Sequence, residues 1–306
     1  RRNRIDEGRG QMMKKILITG ANSYIGTSFE RYIKENYPED FQTDTLDMLN
    51  PEWKEYDFSG YDSIFHVAGI AHADVGNVSE ERKQLYYKVN CDLAYETASK
   101  AKEAGVGQFI YMSSIIVYGE SAPYGKTKMI TEDTKPEPAN FYGDSKLQAE
   151  IKLTPLQNED FNIVIIRPPM IYGPGSKGNY PVLSKLAHKL PLFPNIKNER
   201  SMLYIENLCE FIGLLIRNNE AGLYFPQNSE YAGTTEIVKV INPKIKINRL
   251  LNIGVMICSK IPGKISGLCN KAFGSMVYDK AMSEYKSRYD RYSLTESIEK
   301  TEGIGR

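Results

Sequence analysis

From Lys15 onward the chain alternates short apolar runs with longer stretches whose apolar positions recur at helical spacing. That alternation predicts strands buried within a parallel α/β sheet and amphipathic helices covering it. The expected strands are 15–19, 41–46, 63–68, 108–113 and 162–167. The expected helices span 27–36, 80–104 and 142–152, the second closed by Gly105. After Arg167 the pattern breaks. Prolines at 168, 169, 174, 181, 191 and 194, with glycines at 173, 175 and 178, predict a loop-rich lobe over the sheet's carboxyl edge. Open α/β sheets bind their ligands at that edge. Residues 202–218 read as strand then helix, returning to the main sheet. The expected division is a sheet domain of 13–167 joined by 202–224, with 168–201 and 225–306 as the smaller lobe.

Composition narrows the class. At 306 residues, 41% hydrophobic and 25% charged, the chain has ample material for a core. Its formal charge of +1 gives, over the whole chain, no footprint for nucleic acid or an anionic membrane. Cys91, Cys209, Cys258 and Cys269 are dispersed without a CxxC pair, as expected of reduced thiols in a cytoplasmic protein. With only His66, His72 and His188, a histidine-based metal centre is not expected. Leu250 to Cys258 is apolar but far short of the ~20 residues that span a bilayer. It reads as buried helix, with a membrane-surface role as the alternative. Residues 1–12 lack the apolar core of a signal peptide and read as a leader or vector-derived segment.

Two patterns carry chemistry. Thr19-Gly20-Ala21-Asn22-Ser23-Tyr24-Ile25-Gly26 follows a predicted strand and opens a helix. Glycine there lets the backbone approach a pyrophosphate, and the helix amino end adds N–H groups and positive dipole. Tyr142 and Lys146 stand four residues apart, on one face of a predicted helix. A free phenol titrates near pH ~10. A neighbouring cation lowers that value and makes the phenol a usable acid and base at an alcohol or ketone.

With these go His66-Val67-Ala68-Gly69, Val89-Asn90, the run from Met112 to Gly119, the run from Arg167 to Gly175, and the run from Arg200 to Leu208. In this order they resemble the extended short-chain dehydrogenases/reductases, in the nucleotide-sugar epimerase/dehydratase branch. The glycine turn departs from that family's TGxxGxxG by carrying Ser23 at the middle glycine. The resemblance implies a Rossmann doubly wound parallel sheet with a smaller C-terminal substrate-binding lobe. It implies Ser114, Tyr142 and Lys146 as the catalytic set, with Lys146 also holding the nicotinamide ribose. Gly20, Asn22, Ser23, Tyr24, Ile25 and Gly26 would surround the cofactor pyrophosphate. His66, Ala68, Gly69 and Asn90 would lie beneath the cofactor. Asp47 would accept from the ribose hydroxyls, favouring NAD over NADP; alternatively Asp47-Met48 would contact adenine.

On the substrate side the resemblance implies His72 and Tyr118 facing the sugar, and Asn179 and Arg200 at the nucleoside diphosphate. In the 4,6-dehydratases of this family Asp and Glu follow the Ser/Thr; here Ile115 and Ile116 stand there and cannot move protons. The implied activity is a UDP-sugar 4-epimerase that regenerates its NAD. The alternative is an NAD(P)H-dependent 4-keto reductase, because Arg200–Leu203 and Gly274–Asp279 are similar to RSL- and GSL-type segments of reductases in surface-polysaccharide synthesis. A non-catalytic dinucleotide sensor would be expected to have lost the tyrosine or lysine. The family also implies a homodimer built on the 80–104 helix and the helix starting near Tyr142.

Overall fold

The computed structural model describes residues 13–71 and 78–304, so His72 and the 1–12 segment lie outside the described residues. In chain order the first strands are β1 (Lys14–Thr19), β2 (Phe41–Leu46), β3 (Ser63–His66), β4 (Gln108–Met112), β5 (Thr127–Ile130) and β6 (Asn162–Ile166). They are followed by β7 (Met170–Tyr172), β8 (Leu192–Pro194), β9 (Met202–Tyr204), β10 (Gly222–Tyr224), β11 (Lys246–Asn248) and β12 (Ser275–Tyr278). Six of them form one parallel sheet in the order β10-β6-β4-β3-β1-β2.

The apolar run of β1 is what makes it central. Ile16, Leu17 and Ile18 are all fully buried, as a strand covered on both faces requires. Alternate residues serve opposite layers. Ile16 and Ile18 pack with α1 (Tyr24–Asn36), while Leu17 faces the layer covered by two later helices. The chain turns from β1 to β2 on one side and to β3 and β4 on the other. The order therefore reverses between β1 and β3, and the crevice at their carboxyl ends is the topological switch point.

The expected 80–104 helix is interrupted. It runs as α2 (Glu80–Tyr87), a π turn at Lys88–Asp92, and α3 (Leu93–Glu103). The Tyr142 helix is α4 (Phe141–Leu153), and α3 and α4 together cover the Leu17 side of the sheet. In the second lobe α5 (Asn179–Lys189) follows the Gly-Pro-Gly turn. α6 (Ile205–Arg217) lies against α1 and carries the most continuous buried face of the described helices. The return to the main sheet is made by β10, whereas β9 pairs with β7 in a separate two-stranded sheet. α7 (Thr234–Ile241) packs near α5.

The apolar segment after Leu250 is corrected by the structure. It forms α8 (Leu251–Lys260), which has no buried residue, and neither has α9 (Lys264–Phe273) beside it. Periodicity shows which residues are apolar, not whether a neighbour covers them.

Candidate active site

The glycine turn sits at the switch point. Gly20 has φ +117, and a Cβ there would lie 2.6 Å from the backbone nitrogen of Ala68. Only glycine lets the β1 turn close onto the β3 turn in this way. Asn22 takes a left-handed φ of 63, which asparagine tolerates better than most residues. Ser23 then caps α1, its Oγ accepting from the Gly26 N–H at 3.1 Å. The departure from the family glycine is thus also a helix cap. Tyr24 and Ile25 pack their side chains on the core, so their backbones are what the crevice receives. The first turn of α1 holds no acidic residue, which suits the approach of a phosphate to a positive helix end. Asp47 is exposed immediately after β2, whose last residue, Leu46, accepts from the Gly20 N–H at 2.9 Å. The residues present therefore fit a dinucleotide.

The floor of the crevice is a hydrogen-bonded clamp. Asn90, on the π turn, is fully buried. Its Oδ1 accepts from the Ile70 N–H at 2.8 Å, and its Nδ2 donates to the Ile70 carbonyl at 3.1 Å and to Ser145 Oγ at 3.0 Å. The extra residue of the π turn is what aims this side chain at both α4 and the loop after β3. Gly69 passes between: a Cβ there would lie 3.0 Å from Asn90 Oδ1 and 3.2 Å from Lys146 Nζ.

His66 departs from its expected place under a cofactor. It is 1% exposed, its Nδ1 pairs with Thr19 Oγ1 at 2.8 Å, and its ring stacks on Phe109 and Tyr111 inside the sheet layer. Burial drives its pKa down to about 3, so it stays neutral.

Ser114, Tyr142 and Lys146 do come together. Ser114 caps the short turn Ile115–Tyr118 after β4, its Oγ accepting from the Ile116 N–H at 3.3 Å, and its side chain neighbours the Tyr142 phenol. Lys146 is buried, donates to the Met112 carbonyl at 2.9 Å, and lies 4.8 Å from the Tyr111 ring centre. Burial lowers its pKa to about 8 against the opposing pull of Glu150. The expected lowering of Tyr142 by Lys146 is not found in this arrangement. Burial pushes the phenol up to about 12, with only the neighbouring Ser114 hydroxyl working the other way.

The substrate-side residues are placed differently from one another. Tyr118 does not face the crevice: it is 3% exposed, packs on Tyr278, and receives a hydrogen bond from Arg167 Nη1 at 2.6 Å. Arg200 is half-buried, and its guanidinium donates to the carbonyls of Gly274 (2.9 Å), Asn270 (3.3 Å) and Lys271. No carboxylate pairs with it among the described residues, and burial lowers its pKa to about 10. Asn179 is exposed at the first position of α5. Arg200 also bridges to Met276, so the two segments resembling reductase motifs are neighbours in space.

The profile of the NAD dependent epimerase/dehydratase family matches residues 16–225, most of the chain. The chain belongs to this family. The UDP-glucose 4-epimerase of Vibrio cholerae is 30% identical to it over 281 residues, covering 85% of this chain and 84% of the relative. The N-acetyl-alpha-D-glucosaminyl-diphospho-ditrans,octacis-undecaprenol 4-epimerase of Escherichia coli O157:H7 is 27% identical over 326 residues, 95% of each. Among solved structures, the UDP-glucuronic acid 4-epimerase of Bacillus cereus in complex with NAD is similar at a TM-score of 0.68. That match has 18% identity and covers 95% of this chain and 96% of that one.

Within this epimerase/dehydratase family member, the sequence reading missed a buried charge cluster beside Ser114, Tyr142 and Lys146. Glu150 and Arg167 are 4% and 6% exposed, with Glu150 Oε2 2.5 Å from Arg167 Nη2 and Oε1 3.0 Å from Nε. Glu150 also accepts from Ser113 Oγ. The signal was present: Glu150 follows Lys146 by four residues, on the same face of α4. Gly143 was missed as well. A Cβ there would lie 2.8 Å from the Ile116 carbonyl, so glycine is what lets α4 bring Tyr142 to the Ser114 turn.

Proposed function

We propose that the chain is an NAD-dependent 4-epimerase of UDP-hexoses or UDP-N-acetylhexosamines. The observation that carries this reading is the placing of Ser114 next to Tyr142, one helical turn from buried Lys146, with Ile115 and Ile116 where dehydration would need carboxyls. Relatives named as 4-epimerases support it.

In this reading Tyr142 takes the proton of the substrate 4-hydroxyl while Ser114 holds the same oxygen by a hydrogen bond. A phenol pushed up to about 12 stays protonated at neutral pH and cannot accept that proton, so Lys146 would supply the activation. Its ammonium lies by Gly69, where it would hold the nicotinamide ribose and stabilise the Tyr142 phenolate. Gly20, Gly26 and the α1 amides would hold the pyrophosphate, and Asp47 the adenosine ribose, which favours NAD. NAD supplies reversible hydride acceptance at carbon 4, so it is unchanged over a cycle. Arg200, paired with carbonyls alone, would meet the substrate diphosphate. A homodimer through the 80–104 segment (α2 and α3) and α4 is part of the reading. Leu85, Tyr95 and Ile151 are exposed on this side and would be covered there.

The second reading is a 4-keto-sugar reductase, favoured by the pairing of Arg200 with Met276 between the two motif-bearing segments. Incubation with UDP-glucose, UDP-galactose and their N-acetyl forms, without reductant, separates the two. Proton NMR would record the carbon-4 epimer if the chain is an epimerase. No turnover by cofactor-loaded protein, together with oxidation of NADH or NADPH by a UDP-4-keto sugar, would replace it with the reductase.

A further inference from the structure

α8 and α9 form a hairpin turned at Pro262-Gly263, and its apolar residues are turned outward. Leu250 is 73% exposed, Ile257 55% and Leu268 66%, with Ile253, Met256 and Ile265 exposed around them. An apolar helix of a soluble chain ordinarily buries such a stripe, and a contiguous exposed patch marks a surface built to be covered.

Charge indicates what covers it. The chain's formal charge is only +1, yet from Ile237 to Tyr278 there is no Asp or Glu at all. The same stretch carries Lys239, Lys244, Lys246, Arg249, Lys260, Lys264 and Lys271, every one exposed. A second copy meeting this face about a two-fold axis would bring like charges together. An anionic surface with an apolar interior satisfies both features at once.

The hairpin is fixed at its base. Asn252 exchanges hydrogen bonds with the Asn195 backbone, at 2.9 Å from its N–H and 2.8 Å to its carbonyl. Arg200 ties down the carboxyl end of α9 through the Asn270 and Lys271 carbonyls. Ten residues of helix reach about 15 Å, half of a bilayer's hydrocarbon core. No described helix is long and apolar enough to cross a membrane. The hairpin therefore has the dimensions of an element that lies in the interface.

We propose that the α8–α9 hairpin docks the protein on an anionic lipid bilayer. Its leucines and isoleucines enter the headgroup–acyl boundary, and its lysines meet the lipid phosphates. Nothing in this depends on which reaction the site performs.

The test is flotation of the full chain with vesicles of phosphatidylcholine, alone or with about one-third phosphatidylglycerol. The protein should float with the anionic vesicles, weakly or not at all with the neutral ones, and less at high salt. Each lysine near an anionic surface is worth about a fivefold gain in partitioning, so Lys260→Glu, Lys264→Glu and Lys271→Glu together should cost at least about a hundredfold. Ile257→Ser with Leu268→Ser should weaken binding at unchanged charge. All five positions are exposed, so an unaltered melting temperature checks that folding is intact. Failure of the wild type to float with the anionic vesicles overturns the proposal. So does equal binding by wild type and both variants. Self-association abolished by Ile257→Ser/Leu268→Ser, without vesicle binding, assigns the face to a second copy instead.

Discussion

Glu150→Gln changes one atom in a side chain that touches nothing outside the protein. Glu150 is 4% exposed and meets Arg167 at Nε and Nη2 and Ser113 at Oγ, while Arg167 Nη1 is spent on Tyr118. The glutamine fills the same space, so no cavity opens. What is lost is the only carboxylate bonded to the Arg167 guanidinium among the described residues. An uncompensated buried charge costs about 3–5 kcal/mol, more than the intact pair is worth. In a chain of this size about 1 kcal/mol shifts Tm by about 2 °C, so the variant should melt about 6–10 °C below wild type. Urea unfolding followed by fluorescence should give the matching loss in stability. Glu150→Gln with Arg167→Met leaves no unpaired charge and should be more stable than Glu150→Gln alone. A second readout lies in the site, where Glu150 opposes the effect of burial on Lys146. Without it Lys146 should lose its proton below pH 8. A Glu150→Gln variant that melts within about 2 °C of wild type would refute the assignment of a buried ion pair beside the proposed catalytic residues.

Tyr142→Phe should lower turnover by about 10²–10⁴-fold while cofactor binding, read by co-purification or fluorescence quenching, stays intact. Gly143→Ala inserts a methyl 2.8 Å from the Ile116 carbonyl, so it should separate Tyr142 from Ser114 and reduce kcat more than it reduces Tm. For pH dependence, Lys146 has a folded pKa of about 8 against an ordinary value of 10.5. Between these values the unfolded chain binds more protons, so this lysine's contribution makes stability rise with pH. Below about pH 8 the cost of burying its charge is fully present. Lys146→Met should thus be more stable than wild type at pH 7, with the gap closing toward pH 10; a gap independent of pH would contradict the buried charge.

The sheet was legible because a central parallel strand must be apolar on both faces. Phe41–Leu46 was read with the bounds the structure shows, and β1, β3, β4 and β6 within a residue or two, whereas β10 was not read as a strand and the one expected to rejoin the sheet, β9, pairs with β7. The glycine turn and the Tyr142–Lys146 pair were legible because spacing of three or four residues fixes a helix face. Contacts between distant segments were not. Tyr118 looks like a site residue from its place four positions after Ser114, yet Arg167 and Tyr278 hold it in a buried cluster. The pairing of β5 with β12 and the bridge from Arg200 to Met276 join segments with no local signal of each other. The π turn at Asn90 was hidden because one extra residue in a helix barely disturbs an apolar period. Burial of α8 was misjudged because the segment's composition is that of a core helix, and only its surroundings leave it uncovered.

Transient oxidation at carbon 4 is tested by following a label through one cycle. The cofactor-loaded protein would be given UDP-hexose deuterated at carbon 4, without added reductant, and both sugar and cofactor examined after turnover. The expected result is the opposite carbon-4 epimer with deuterium retained at that carbon, no net change in cofactor, and no reaction by Tyr142→Phe. Epimerisation with loss of the deuterium to solvent, or at full rate in Tyr142→Phe, would contradict it.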